Sequence, residues 1–232
     1  GDFADLADRQ AEIVAFAVDH STASRFFMCP SYYSDDLVLD RVFGQRPPDY
    51  LNQLGKLLDP AIAVYWTGEE VASREFRLGH LGHISEQLGR KLSLWDNYPV
   101  NDGPRMSNHL HLRAFTGRST NLGQYVQHHA INPASQPTLG CIAALTLPRS
   151  YGEGDDYRYG EAFLDAAVAV CGVELARMLQ ADLLSFQDSG LERIKASIPQ
   201  FREKYLAVDH PAAREVFLLQ RKKSKVGDGL GK

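Results

Sequence analysis

The sequence lacks any apolar run that approaches the ~20 residues needed to cross a bilayer, and it has only three cysteines among 232 residues. Cys29, Cys141 and Cys171 are odd in number and far apart. They fit neither a disulfide framework nor a close-spaced zinc site, so we expect buried free thiols. The formal net charge is only −4, so no basic excess favours a nucleic-acid interface. We therefore expect neither a nucleic-acid partner nor a membrane partner.

A secretory signal is also missing from the N-terminus. The first ten residues, GDFADLADRQ, are acidic and have no signal-peptide pattern. This absence favours a cytoplasmic location. Because Gly1 is compatible with a tag remnant, the native start can lie further upstream, and the question of export is left open.

Phosphate loops and metal-binding patterns are absent as well. The GxG at 152–154 follows no clear strand, so a nucleotide site is not predicted. Two histidine pairs, His109 with His111 and His128 with His129, have no apparent third partner for a tetrahedral site. The sequence therefore predicts a protein that uses no cofactor and no metal.

The sequence does contain a regular alternation of short apolar runs and helical patterns. Four runs are typical of buried strands, at 25–29, 62–66, 92–95 and 128–131. Helical patterns cover 3–18, 50–58, 78–88, 119–126 and 139–146. This order predicts an α/β fold with a parallel sheet and outer helices.

The number of strands indicates part of a barrel. Four strands that follow a helix make half of an eight-stranded barrel, so we predict half of a (β/α)8 TIM barrel over residues 1–150. A helical segment and tail follow over 151–232. A half barrel leaves two open edges and an uncovered interior. We therefore expect the missing barrel half, or a second copy of the chain, as a partner.

Aromatic, amide and carboxylate side chains follow the predicted strands, where a barrel has its active site. The four exits read CPSYY at 29–33, WTG at 66–68, WDNYPVND at 95–102 and NP at 132–133. Flat sugar faces stack on aromatic rings, and sugar hydroxyls need polar partners. The strand ends therefore predict a carbohydrate site.

These segments resemble the signature of the family 84 glycoside hydrolases, the O-GlcNAcases and bacterial β-N-acetylglucosaminidases, some of them known as hyaluronidases. The resemblance rests on WDNYPVND, on CPSYY where the family commonly has CPTEY, and on VYWTGEEVAS, FTGRST and INP at 64–73, 115–120 and 131–133. The motifs occur in family order at family-like spacing over residues 3–151. The resemblance implies that the chain is the C-terminal half of the (β/α)8 TIM barrel and that the missing partner is the N-terminal barrel half. The resemblance implies substrate-assisted, retaining hydrolysis of terminal β-linked N-acetylglucosamine in a glycan or glycoprotein.

The resemblance also implies a substrate-binding site, and five of its residues belong near the acetamide of the bound sugar. Tyr33 is expected beside the acetamide, and Thr67 and Val71 are expected to form part of the pocket. Trp95 is expected to wall the acetamide methyl group. Asn97 is expected to hydrogen-bond close to the reacting acetamide.

Two further residues are expected on the far side of the sugar ring. The resemblance implies that Asp102 and Asn132 bind hydroxyls, and a carboxylate can accept two hydroxyl protons. A turn or a strand terminator is the structural alternative, because Asn, Asp and Pro favour turns. The chain departs from the family at Gly103, where many members have Tyr, and at Tyr32, where Glu is usual.

The family's catalytic pair is the feature that the sequence does not show. Family members use one Asp to orient the acetamide and the adjacent Asp as general acid and base. That pair follows the fourth barrel strand, before the helix at which this chain begins, so we predict no catalytic residue here and negligible activity of the chain alone. Asp35 and Asp36 are the tempting substitute, and a solvated or turn-forming pair is the favoured interpretation. The alternative function is a non-catalytic carbohydrate-binding or assembly protein.

Overall fold

The structure is a computed structural model that describes residues 5–104 and 106–217. It divides into two compact units. The first comprises Gly1–Asn97 and Ser119–Ile131, and the second comprises Tyr98–Arg118 and Asn132–Lys232. The domain boundary expected near residue 150 stays a prediction.

The first unit contains a four-stranded parallel sheet in which the strands lie in sequence order. The strands are β1 (Phe27–Met28), β2 (Ala63–Trp66), β3 (Leu92–Asp96) and β4 (Val126–Ile131). Tyr65 is opposite Ser93, and Trp95 is opposite Ala130. The predicted α/β class with four parallel strands is confirmed, although β1 is shorter than expected and β4 begins two residues earlier.

The described part of the first unit contains four α-helices: α1 (Leu6–Asp19), α2 (Leu37–Phe43), α3 (Tyr50–Leu57) and α4 (Leu78–Leu88). The hydrophobic pattern predicted α1, α3 and α4, and Phe3, the first residue of the pattern at 3–18, lies outside the described residues. The pattern did not predict α2, which Asp36 caps by accepting a hydrogen bond from the Val38 amide at 3.0 Å. The expected helix at 119–126 was wrong. Residues Thr120–Gln124 form a 3₁₀ turn, because β4 already begins at Val126.

One face of the sheet forms the core of the first unit. Val64, Trp66 and Leu94 are fully buried on it. The absence of a side chain at Gly55 lets α3 approach α4, because a Cβ atom there would lie 2.5 Å from the Leu88 carbonyl oxygen.

The predicted apolar stripe of α1 is not covered. Ile13 and Phe16 are 67% and 64% exposed, whereas Ala7 is buried. The helix instead turns Gln10 towards its neighbours, where the side-chain amide donates to the Ser31 hydroxyl at 2.8 Å and its oxygen accepts from the Tyr50 hydroxyl. The apolar stripe therefore stays on the surface of the described chain.

The second unit is helical, as predicted for the segment after residue 151. It contains α5 (Pro137–Glu153), α6 (Tyr159–Ala181), α7 (Gly190–Arg193), α8 (Ile198–Leu206), α9 (Pro211–Glu215) and a π-helical turn, Ser185–Ser189. Gly172 interrupts α6 with φ of 79°, a conformation that glycine adopts at little cost. Val173, the residue after this break, is 53% exposed, whereas Phe163 and Ala167 on the same helix are buried. Among the described residues, no helix combines the length and apolar character needed to span a membrane.

The prediction of three buried free thiols was wrong for two of the cysteines. All three are free, but only Cys171 is buried, and burial raises the pKa of its thiol to about 11. Cys29 directly follows β1 and is exposed like Phe27, which continues the alternation of exposed Phe27 and buried Met28. Cys141 is exposed on α5, where its thiol donates to the Pro137 carbonyl at 3.2 Å. The predicted tail at 221–232 lies outside the described residues.

Candidate active site

Five of the seven predicted site residues lie in the first unit, at or just after the ends of three strands. Tyr33, Thr67, Val71 and Asn97 follow β1, β2 and β3, and Trp95 is the last but one residue of β3. Thr67 comes directly after β2 and is almost fully buried. Its amide donates to the Tyr33 carbonyl at 2.9 Å, and its hydroxyl lies 3.1 Å from the Glu70 carbonyl. Thr67 therefore joins the exit of β1 to the turn after β2.

The turn after Thr67 depends on a glycine. Gly68 has φ of 99°, and a Cβ atom there would lie 2.3 Å from the Ser73 hydroxyl oxygen. That hydroxyl donates to the Glu70 carbonyl at 3.0 Å, so the turn is closed by its own side chains. The Val71 amide then donates to Asp36 Oδ2 at 3.2 Å. These bonds fix the position of Val71 relative to the exit of β1.

Asn97 connects this turn to the end of β3. Its side-chain Nδ2 donates to the Val71 carbonyl at 2.7 Å, and its Oδ1 accepts from the Trp95 indole N–H at 3.1 Å. One donor and one acceptor of the amide are thereby used to hold its plane. The structure thus brings Val71, Trp95 and Asn97 together in one hydrogen-bonded chain.

Trp95 also belongs to a wider aromatic surface on the sheet. Its ring meets Tyr65 edge-on at 5.2 Å, Tyr65 stacks on Phe27 at 5.3 Å, and Phe27 contacts the His128 ring at 5.0 Å. Phe27 is 42% exposed and Trp95 is 38% exposed. We call these four residues the aromatic face. Phe27 and Tyr65 were not predicted as site residues, and His128 was considered only as a metal ligand. The alternation of Tyr65 with the buried Trp66 would have indicated two unlike faces of the strand.

The Tyr33 phenol has a raised pKa. Burial is the main cause, and the nearby Cys29 and Asp36 add to it by disfavouring a further negative charge. Since the ordinary tyrosine value is already about 10, the phenol stays neutral at physiological pH. Tyr33 can therefore donate a hydrogen bond to a ligand oxygen.

Asp35 and Asp36 have structural partners. Asp36 caps α2 through Oδ1 and accepts from the Val71 amide through Oδ2. Asp35 forms an ion pair with Arg46 at 2.7 Å and lies 3.6 Å from His80. These contacts support the turn-forming interpretation rather than a catalytic one.

A buried carboxylate next to two of the site residues contacts a histidine. Asp96, between Trp95 and Asn97 in the chain, is 1% exposed and lies 2.9 Å from His129 Nε2. The pair links the last residue of β3 to β4. Asp96 was not predicted as a buried residue, because a carboxylate within a site motif is as compatible with ligand binding as with burial.

Asp102 and Asn132 lie in the second unit. Asp102 is exposed in the segment after β3, and Asn132 directly follows β4 with partial exposure. The neighbouring Asn101 is 1% exposed. It accepts from the Ser135 amide at 2.9 Å and donates to Gln136 Oε1 at 2.8 Å. The segments that carry Asp102 and Asn132 are therefore joined through Asn101, which sequence reasoning missed.

The histidine pairs have partners other than metal ions. His128 Nδ1 lies 3.1 Å from the Ser93 hydroxyl, and His109 Nδ1 lies 3.1 Å from the Gln187 carbonyl. His111 lies 3.0 Å from the Val100 carbonyl, and burial lowers its pKa. Within 5–104 and 106–217, no three His, Cys, Asp or Glu side chains cluster as metal ligands.

Comparison with known proteins gives a consistent result. The sequence profile of a family described as beta-N-acetylglucosaminidase matches residues 4–186. The protein O-GlcNAcases of Mus musculus and Rattus norvegicus are each 32% identical over 126 residues, which is 54% of this chain. The matched part is only 13% of the length of either relative.

A solved structure is similar in fold. It is a mutant of the Thermobaculum terrenum O-GlcNAc hydrolase, with a TM-score of 0.69 and 24% sequence identity. The match covers 94% of this chain and 53% of that one, so the chain spans about half the length of this neighbour.

Proposed function

Because the chain belongs to the beta-N-acetylglucosaminidase family, family 84 of the glycoside hydrolases, we propose that it supplies the sugar-binding half of a site that removes terminal β-linked N-acetylglucosamine. The mammalian relatives are named O-GlcNAcases, which makes an O-GlcNAc-modified protein or another N-acetylglucosamine-containing glycan the substrate class. The reaction is retaining hydrolysis in which the substrate's own acetamide oxygen attacks the anomeric carbon.

The observation that carries this proposal is the hydrogen-bonded chain of Trp95, Asn97 and Val71. An acetamide needs an apolar wall for its methyl group and polar groups for its amide. Trp95 offers a partly exposed ring, and Asn97 holds that ring through the indole N–H. With the amide of Asn97 fixed on the Val71 carbonyl, the wall is organised before the sugar binds.

The other roles follow from the residues' chemistry and the family resemblance. The neutral Tyr33 phenol and the turn at Thr67 belong to the acetamide side of the pocket. Asp102 and Asn132 bind sugar hydroxyls, for which an exposed carboxylate and an amide are suited because both accept and the amide also donates.

We place the catalytic aspartates outside this chain. General acid–base assistance is worth about 10²–10⁴-fold, and the only adjacent aspartates after a described strand are engaged elsewhere, Asp36 as a helix cap and Asp35 with Arg46. This chain alone is therefore expected to hydrolyse an aryl β-N-acetylglucosaminide negligibly. Robust turnover that is lost on changing Asp35 or Asp36 would contradict this assignment.

The exposure of the aromatic face supports the proposal that the chain binds a partner, either the other half of a barrel or a second copy of the chain. Phe27 and Trp95 are partly exposed on it, and the α1 stripe of Ile13 and Phe16 is more exposed still. Exposed apolar surfaces of this kind mark association sites. Sedimentation should show self-association that Phe27→Lys weakens, whereas Val173→Lys, at an exposed apolar position of the second unit, leaves it unchanged. A compact monomer with a cooperative melt would count against a partner.

The sugar-binding roles are tested in the protein expressed from its natural reading frame. Asp102→Ala removes hydrogen bonds to a charged group, each worth about 1.5–3 kcal/mol. Affinity for N-acetylglucosamine, measured by calorimetry, should fall at least about tenfold, the factor for ~1.4 kcal/mol. The melting temperature should barely change, because the carboxylate is exposed.

A structural role predicts the opposite result. If Asp102→Ala and Asn132→Ala both destabilise the fold and leave affinity intact, the proposed hydroxyl contacts are wrong. If the natural protein binds the sugar but does not cleave the aryl glycoside, the non-catalytic carbohydrate-binding alternative replaces the enzyme.

A further inference from the structure

Asn101 lies at a junction that no role in the proposed chemistry explains. It is 1% exposed and makes three hydrogen bonds. Its Nδ2 donates to the His109 carbonyl at 3.1 Å and to Gln136 Oε1 at 2.8 Å, and its Oδ1 accepts from the Ser135 amide at 2.9 Å. An asparagine is one of the few side chains that can serve two acceptors and one donor at once.

The partners of Asn101 belong to the two segments that carry the proposed hydroxyl-binding residues. Asp102 is the next residue in the chain, and His109 closes the same loop. Ser135 and Gln136 follow Asn132 within four residues. Consecutive Cα atoms are about 3.8 Å apart, so the anchor at Asn101 fixes one end of the Asp102 backbone. Pro133 restricts the chain between Asn132 and Ser135.

Gln136 gives an independent indication that the junction is more than a local turn. It is the N-cap residue of α5, a position where the short side chains of Ser, Thr, Asp and Asn are preferred because they can cap the helix. Its side chain makes no such bond and is 1% exposed. Its Oε1 accepts from Asn101 instead, while Glu215 accepts from the Thr138 and Leu139 amides.

We infer that Asn101 and Gln136 are positioning residues that set the separation of Asp102 and Asn132, and thereby the affinity for the sugar hydroxyls. This inference rests on the proposed function, because it assigns the two exposed residues to one ligand. It assigns Asn101 no contact with the sugar. A buried amide pair with defined geometry holds two loops in register better than apolar packing, which has no preferred direction.

The first variant keeps the size of the Asn101 side chain and replaces its NH₂ donor with an oxygen acceptor. Asn101→Asp leaves an acceptor for the Ser135 amide but presents a second oxygen to the His109 carbonyl and Gln136 Oε1. In the protein expressed from its natural reading frame, its affinity for N-acetylglucosamine should fall on the order of tenfold, since a displacement of about 1 Å in a binding group can cost that much or more.

A second pair of variants separates positioning from stability. Gln136→Glu keeps the oxygen that accepts from Asn101 and buries a charge, so it should lower the melting temperature and keep affinity within about threefold. Gln136→Leu removes the acceptor, so it should lower affinity by more than Gln136→Glu does. Tyr205→Phe is the matched control, because it removes a buried hydrogen bond to Asp182 of 2.9 Å elsewhere in the second unit. It should lower stability without changing affinity.

The outcomes distinguish the two levels of the argument. If Asp102→Ala leaves affinity unchanged, the proposed function fails at this site. If Asp102→Ala weakens binding but Asn101→Asp weakens it no more than Tyr205→Phe does, the positioning role is overturned. In the Asp102→Ala background, Asn101→Asp should cost less affinity than in the unaltered protein, because coupled residues are not additive. An equal cost in both backgrounds would also refute the inference.

Discussion

Glu215 of α9 should be one of the most sensitive single positions in the second unit. The carboxylate is 7% exposed and meets the start of α5. Oε1 accepts from the Thr138 amide at 3.0 Å and from its hydroxyl at 2.6 Å, and Oε2 accepts from the Leu139 amide at 2.8 Å. Since Gln136 does not cap the helix with its side chain, Glu215 supplies the cap from 77 residues away.

The substitution Glu215→Gln isolates the charge and one acceptor. The amide keeps one oxygen and places its NH₂ group opposite a backbone N–H. Losing one hydrogen bond to a charged group costs about 1.5–3 kcal/mol, and losing the carboxylate at a helix N-terminus adds about 0.3–1 kcal/mol. We therefore expect a loss of about 3 kcal/mol in the free energy of unfolding, or about 6–12 °C in melting temperature at this chain length.

The measurement is denaturant unfolding followed by helical circular dichroism, with Arg214→Ala as the control. Arg214 lies on the same helix but pairs with the exposed Asp209, so its loss should cost less than about 0.5 kcal/mol. Glu215→Ala should be more destabilising than Glu215→Gln, because no acceptor remains. If Glu215→Gln costs no more than Arg214→Ala, the cap contributes little and the reasoning is refuted.

Two further predictions concern the first unit. Gly55→Ala should destabilise by about 1–3 kcal/mol, because its Cβ would lie 2.5 Å from the Leu88 carbonyl oxygen. A Cβ atom at Gly79 on α4 would have no other atom within 4 Å, so Gly79→Ala should be neutral or stabilising by up to about 1 kcal/mol. Equal melting temperatures for the Gly55→Ala and Gly79→Ala variants would contradict the close approach of α3 and α4. Burial lowers the pKa of His80 below its ordinary value of 6.5, against the attraction of Asp35 and Glu69, while His83 and Arg46 lower it further. The neutral imidazole therefore contributes its full stability above pH 6.5, and that stability is lost as the pH falls below this value. The melting temperature should fall less between pH 7.5 and 5.5 in His80→Gln than in the unaltered protein. An equal fall in both proteins would disprove the linkage.

The candidate site was predictable where its residues follow strands directly. The motif at 95–102 indicated the end of β3, and the structure places Trp95 and Asn97 there in one hydrogen-bonded chain with Val71. The roles of these residues in sugar binding stay predictions. The supports of the site were not predictable, because Asn101 and Gln136 look like ordinary turn and helix-start residues in the sequence. Their importance depends on a contact between positions 35 residues apart.

The sequence by itself determined the type and order of the main elements. Apolar runs of strand length alternate with helical stripes, and this local pattern indicated all four strands and the bounds of α4 at Leu78–Leu88. Local pattern suffices there because strand and helix differ in the period at which apolar side chains recur.

Only the tertiary structure decided which apolar side chains are covered and which polar ones hold loops together. The exposure of Ile13 and Phe16 on α1 and the cap of α5 by Glu215 both depend on groups distant in the chain. A helical stripe shows that a face is apolar but not whether another element packs against it. A carboxylate in a sequence likewise has no direction until the fold places an N–H group beside it, and long-range packing therefore settled what periodicity left open.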